Sequence, residues 1–179
     1  MSAQIGIPDE WAWMRQVHGA EVIRVKAPGL QGDGDAAFTE IAMVPIAVST
    51  ADCYPVIVEA AGAVGIAHAG WRGAASGVIA ALVEAMTASG HQPVRAAIGP
   101  GIGGCCFEVG PEVAARFPGH QTTTGWGTAA VDLAAVIRTE LGDIDIWASG
   151  ICTMSDDGYH SHRRDATRLR QVAVAWLPG

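Results

Sequence analysis

Three short stretches join a reactive side chain to a tight turn: Gln16-Val17-His18-Gly19, Thr50-Ala51-Asp52-Cys53 and Ala67-His68-Ala69-Gly70-Trp71-Arg72-Gly73. Two imidazoles and one thiolate make a three-ligand set for zinc and leave a fourth coordination position open, as catalytic zinc requires. Zinc held by His18, Cys53 and His68 would lower the pKa of bound water toward ~7 and supply hydroxide at neutral pH. Each residue alone also has an ordinary use. A buried cysteine commonly serves as a small hydrophobe, and a histidine before a glycine turn commonly holds a hydrogen bond. A metal-free use is open too, in which His18 or His68 activates Cys53 as a nucleophile for acyl transfer.

Other residues offer weaker chemistry. The glycine-rich loop 99–104 (GPGIGG) could turn backbone N–H groups toward a phosphate, or could be a tight packing turn. It is not a P-loop, because no Gly-Lys-Ser/Thr follows, and it lacks a dinucleotide fingerprint. Arg72 opens a helix just after His68 and could reach an anionic ligand, although an exposed arginine is ordinary. His160 and His162 flank Ser161 beside Arg163, Arg164, Arg168 and Arg170 and read as a solvated loop.

The elements that must position these residues alternate between strand and helix. Residues 21–26 read as a strand, and the glycines and aspartates of 29–35 as a loop. Residues 44–50, 54–59 and 63–67 are short apolar, β-branched runs, read as buried strands, with Ala61-Gly62 turning one into the next. Cys53 precedes one arm of that hairpin and His68 follows the other, so both fall at one edge of a sheet. Residues 74–89 read as a single helix with Ala75, Val78, Ile79, Leu82, Val83 and Met86 on one face, ended by Gly90. Residues 94–98 read as a strand, 111–117 and 129–141 as helices, and 144–148 and 171–176 as closing strands. The expected fold is an α/β domain with a mixed sheet.

Composition narrows the class. The chain has 179 residues, which suits one domain, and half of them are hydrophobic. No run of about 18 apolar residues is free of charge or histidine, so no membrane span is expected. The start lacks a basic segment followed by an apolar core, so no secretion signal is expected and the location reads as cytoplasmic. A formal net charge of -7 argues against nucleic-acid binding. Four cysteines (Cys53, Cys105, Cys106 and Cys152) without an export signal read as reactive, metal-bound or buried thiols rather than a disulfide framework.

Taken together, QVHGAEV (residues 16–22), STADCYPVIV (49–58), GIAHAGWRGAASGVI (65–79), AAIGPGIGGCCFEVG (96–110) and the tail CT…SHRRD…RQVAVAWL resemble the YfiH-type proteins. That family is also called the laccase-domain or multicopper polyphenol oxidoreductase family, and the resemblance covers nearly the whole chain in the same order. It implies an α/β (α+β) layered sandwich with a mixed β-sheet, a single catalytic domain over residues 1–179, and a pocket near the surface. It implies zinc on His18, Cys53 and His68. It implies phosphorolysis of adenosine, inosine, guanosine and methylthioadenosine, and deamination of adenosine. The partners would be purine nucleosides and phosphate, with no nucleic acid and no membrane, in a monomer or homodimer. Arg72 is nominated for electrostatic help in catalysis.

An older family label is copper-dependent oxidation of phenols. A multicopper oxidase needs several copper sites and many histidines, whereas this chain has six, two of them in strong motifs. One N/S/N site suits zinc better than copper. A shortened, inactive or partner-binding form and a metal-free thiol hydrolase are the remaining alternatives. The chain departs from the family in starting just before QVHG, without the usual N-terminal segment. It has Gly101 where a cysteine is frequent. It also has Ala166 and Arg168 to Arg170 where Gly and Thr-Gly-Arg are usual, which bears on substrate contacts more than on metal ligands.

Overall fold

The computed structural model describes residues 6–179. In chain order the strands and helices are β1 (Ala12–Arg15), β2 (Val22–Val25), β3 (Gly29–Asp33), β4 (Ala36–Thr39), β5 (Ile46–Thr50), β6 (Tyr54–Ala60), β7 (Ala63–Ala69), α1 (Trp71–Ala75) and α2 (Val78–Ala88). There follow β8 (Pro93–Ile98), α3 (Pro111–Ala114), β9 (Gln121–Thr123), β10 (Ala129–Val131), α4 (Leu133–Leu141), β11 (Asp145–Ala148), α5 (His162–Asp165) and β12 (Gln171–Ala175).

Two mixed sheets carry the fold. The larger has the order β11-β8-β6-β7-β4-β2, and the smaller β12-β5-β1-β3. Strand β7 explains the layering. All of Ala63–Ala69 is buried, because the strand is covered on both faces. Val64 and Ile66 point to a core shared with Ile46 and Val48 of the small sheet. Ala63, Ala67 and Ala69 point to a second core built by Val78, Ile79, Leu82 and Met86 of α2. Helix α2 approaches closely because Gly65 has no side chain: a Cβ there would stand 2.8 Å from Met86 Sδ and 3.0 Å from Leu82 Cδ1. The layers are therefore helix, large sheet, small sheet, as the α/β (α+β) sandwich expectation required.

The expected hairpin is present. Tyr54 pairs with Ala69 and Pro55 with His68, and Gly62 turns the chain with φ +73°. Four local expectations fail. Residues 29–33 are strand β3, parallel to β1, where a loop was expected. Backbone pairing alone makes that strand, with little apolar pattern to betray it. The long helix over 74–89 is two helices, because Gly77 sits at φ +77° and breaks the ladder between them. The helix over 129–141 begins only at Leu133. Asp132 caps it by accepting a hydrogen bond from the Ala135 N–H, and residues 129–131 are a strand instead. The helix expected over 111–117 is a short one that ends at Ala114.

Candidate metal centre

Loops from both sheets meet at one end of the sandwich. His18 lies between β1 and β2, Asp35 between β3 and β4, Cys53 between β5 and β6, and His68 near the end of β7. The ligand atoms of His18, Cys53 and His68 all lie within 4.8 Å of one another. The two imidazole rings meet edge to face, with centroids 4.8 Å apart and planes at 80°. Donors 2.0–2.3 Å from one tetrahedral ion would stand about 3.3–3.8 Å apart, so small side-chain rotations suffice to close the set. The donor chemistry fits zinc, and equally a softer cation such as copper.

Asp35 organises the trio, and sequence reasoning missed it. It is fully buried, and its Oδ1 accepts from His68 Nδ1 at 2.8 Å. Its Oδ2 accepts from the Val17 and Gly19 N–H groups at 3.0 and 2.7 Å, which fixes the turn that presents His18. The turn holds His18 itself at φ +61°. Because Nδ1 donates to the carboxylate, His68 Nε2 is left for a cation. The only hint in the sequence was one aspartate among the glycines before a buried AAF run.

Charge is shared across the site. Burial raises the Asp35 carboxyl, but His68 and the two N–H donors outweigh it and hold it below its ordinary value. Burial works against the Cys53 thiolate too, yet hydrogen bonds to His18 and His68 bring the thiol down to about 7. Burial likewise disfavours charged His68, but Asp35 and Cys53 raise it to about 9. The free side chains therefore lean toward a thiolate–imidazolium pair, and a bound cation would replace its positive partner.

The glycines of the third motif are steric necessities. A Cβ at Gly70 would stand 2.8 Å from Cys53 Sγ and 3.2 Å from His18 Cδ2. A Cβ at Gly73 would stand 3.0 Å from the Gly19 carbonyl. Asp52 holds the second motif in place at φ +82°. Its carboxylate accepts from Thr153 Oγ1 and from the Arg163 N–H, both at 2.7 Å, tying the C-terminal segment to Cys53.

The trio opens into a cleft of about 580 Å³ whose wall includes Gln16, Trp71, Phe107, His162, Arg163 and Arg170. The arginine cluster divides its labour. The Arg163 guanidinium lies 5.4 Å from the Phe107 ring centroid at the cleft. Arg164 is a staple that donates to the carbonyls of Thr153, Met154, Asp156 and Tyr159. Ser161 is the buried cap of α5, not part of a solvated loop. Arg72 is exposed and lies over the Trp71 ring, 4.4 Å from its centroid; it is not among the residues that line the cleft. The glycine loop presents Ile102 to the cleft. At Gly101, a Cβ would stand 2.5 Å from the Tyr54 ring, so the close approach of Tyr54 requires a glycine there.

A family model described as multi-copper polyphenol oxidoreductase laccase matches residues 1–178. A purine nucleoside phosphorylase of Streptomyces griseus is 41% identical over 185 residues, spanning 95% of this chain and 75% of its own. A purine nucleoside phosphorylase of Deinococcus radiodurans is 40% identical over 191 residues, spanning 99% of this chain and 75% of its own. The crystal structure of YlmD from Geobacillus stearothermophilus superposes with a TM-score of 0.88 at 31% identity, covering 99% of this chain and 77% of that one.

Proposed function

We infer that the chain, which belongs to the multi-copper polyphenol oxidoreductase laccase family, is a zinc-dependent purine nucleoside phosphorylase that also deaminates adenosine. The substrates would be adenosine, inosine, guanosine and methylthioadenosine, with phosphate as co-substrate. The reading is supported by relatives of about 40% identity that carry the phosphorylase name. The observation that carries it is the meeting of two imidazoles and one thiol at a cleft walled by aromatic and guanidinium groups.

Zinc on His18, Cys53 and His68 would supply a Lewis acid. The chain's own residues supply the rest. Trp71 and Phe107 offer flat apolar faces for a purine. Arg163 and Arg170 bring positive charge to the same cleft. Arg170 spends only Nη1 on backbone carbonyls, those of Thr167 and Leu169, which leaves its other donors for a phosphate oxygen. In phosphorolysis a phosphate oxygen bonds to the anomeric carbon of the sugar. The glycosidic bond breaks with its electron pair going to the purine nitrogen. Orientation of the two partners is the larger part of such a reaction. With the cation on Nε2, Asp35 would accept from Nδ1 and so orient the His68 ring.

The test is direct. Purified, zinc-loaded protein is incubated with adenosine, with and without phosphate. Adenine with ribose 1-phosphate reports phosphorolysis, and inosine reports deamination. Cys53→Ala should lose the zinc equivalent held at the cleft, and activity with it. Absence of nucleoside turnover by folded, zinc-loaded protein rejects the reading. Oxygen uptake with a phenol by copper-loaded protein would support the oxidase that the family description names.

A further inference from the structure

Three of the four cysteines stand outside the cleft and close together. The sulfur atoms of Cys105, Cys106 and Cys152 lie within 4.8 Å of one another, and those of Cys105 and Cys106 are 3.4 Å apart. All of them are free thiols. Cys105 is exposed, Cys152 partly exposed and Cys106 buried, so the cluster reaches the surface. Cys105 and Cys152 line a hollow of about 220 Å³ beside the glycine loop. We propose that Cys105, Cys106 and Cys152 form a second cation site, selective for a thiophilic d10 ion, Zn²⁺ or Cu⁺.

Geometry carries this inference. Thiolates 2.3 Å from one tetrahedral ion stand about 3.8 Å apart, within the range these sulfurs span. Soft sulfur donors alone select zinc or cuprous copper over magnesium, calcium or manganese. The surroundings leave room for the sulfurs and steady them. A Cβ at Gly103 would stand 3.2 Å from Cys105 Sγ and 3.4 Å from Cys152 Cβ, so the glycine keeps the space between them open. The Gly103 N–H donates to Cys152 Sγ at 3.2 Å, and Ser155 Oγ lies 3.2 Å from Cys106 Sγ. Charge agrees with the geometry. Burial opposes the Cys152 thiolate, but Ser155 and the Gly103 N–H bring the thiol down to about 7. Burial and its two thiol neighbours push Cys105 up to about 12. The ion would displace the remaining thiol protons to solvent as it binds.

The site would join two segments that also build the cleft. The Gly101 N–H donates to the Ile151 carbonyl and the Thr153 N–H to the Gly101 carbonyl. Ile102 lines the cleft, and Thr153 holds Asp52 beside Cys53. A cation on the three sulfurs would clamp the glycine loop to the segment carrying Cys152.

The full chain, stripped of metal under reducing conditions, is titrated with Zn²⁺ and separately with Cu⁺ against chromophoric chelators. Cys53→Ser should abolish binding at the cleft and retain the thiol-cluster equivalent. With Co²⁺ as probe, that variant should still show sulfur-to-cobalt charge-transfer absorption, and Zn²⁺ should raise its melting temperature. Adding Cys105→Ser and Cys152→Ser should remove all three signals. Cys105→Ser added to Cys53→Ser, at an exposed position, should weaken the charge-transfer band and lower the affinity, and serves if the triple variant does not fold. A folded Cys53→Ser protein that binds neither ion overturns the proposal, and does so without bearing on the nucleoside assay. Binding of only one of the two ions identifies which the site prefers.

Discussion

The buried carboxylate of Asp35 governs the centre at the scale of single residues. It bonds His68 and two backbone N–H groups beside His18, so its removal should loosen two donors at once. Asp35→Asn keeps the shape but loses the charge. Its cation affinity at the cleft should fall by about 10- to 100-fold, measured by chelator competition, with an unchanged circular dichroism spectrum. A second residue departs from local rules for a different reason. Ala166 caps α5 at φ +47°, in the left-handed region, where a glycine would sit without strain. A side chain there costs on the order of 1–2 kcal/mol, partly offset by the greater flexibility of glycine in the unfolded chain. Ala166→Gly should therefore stabilise the protein by about 0.5–1 kcal/mol in denaturant unfolding. A loss of stability would show that the cap is held by something other than backbone preference.

The elements are joined by polar staples as well as by their cores. His91 follows α2 and uses both ring nitrogens: Nδ1 meets the Ala61 carbonyl at 2.8 Å and Nε2 meets Glu40 at 2.7 Å. A carbonyl and a carboxylate both accept, so the ring is best satisfied as imidazolium. The Ala61 carbonyl and Glu40 raise its pKa above the ordinary histidine value, against the opposing effect of burial. The group thus binds its proton more tightly in the folded chain than in the unfolded one. Its contribution is complete below about pH 6.5, the unfolded value, and is lost as pH rises through the higher folded value. The stability gap between wild type and His91→Ala should therefore be widest at low pH and narrow toward alkaline pH, as read by urea unfolding across the series. A gap that widens with pH would mean that the neutral ring is the bonded form.

For the whole molecule, the centre lies where two sheets end, while the two apolar cores lie within the layers. The cation should therefore stabilise the fold without being needed for it. Chelation should lower the melting temperature, by the equivalent of about 4 kcal/mol when zinc had been present at ~1,000 times its dissociation constant, while secondary structure persists at room temperature. Unfolding on chelation at room temperature would place the ion among the folding determinants. Much of this organisation was legible in the sequence. Apolar runs at 54–59 and 63–67 with a glycine turn between them specify a hairpin, because a two-residue period buries alternate side chains on opposite faces. The hairpin brings Cys53 to the edge where His68 stands. His18, Cys53 and His68 were recognisable as donors by chemical type. Strand β3 and the break at Gly77 were not legible, since pairing partners and backbone angles leave little trace in side-chain pattern. Nor could one aspartate in a glycine-rich stretch announce that it would be buried against His68, or four scattered cysteines that three would bring their sulfurs together. The sequence determined the reactive groups and the local periods, which depend on neighbours a few residues away. Only the tertiary structure decided which distant groups meet, because contacts such as Asp35 with His68 or Gly103 with Cys152 exist only once both sheets have packed.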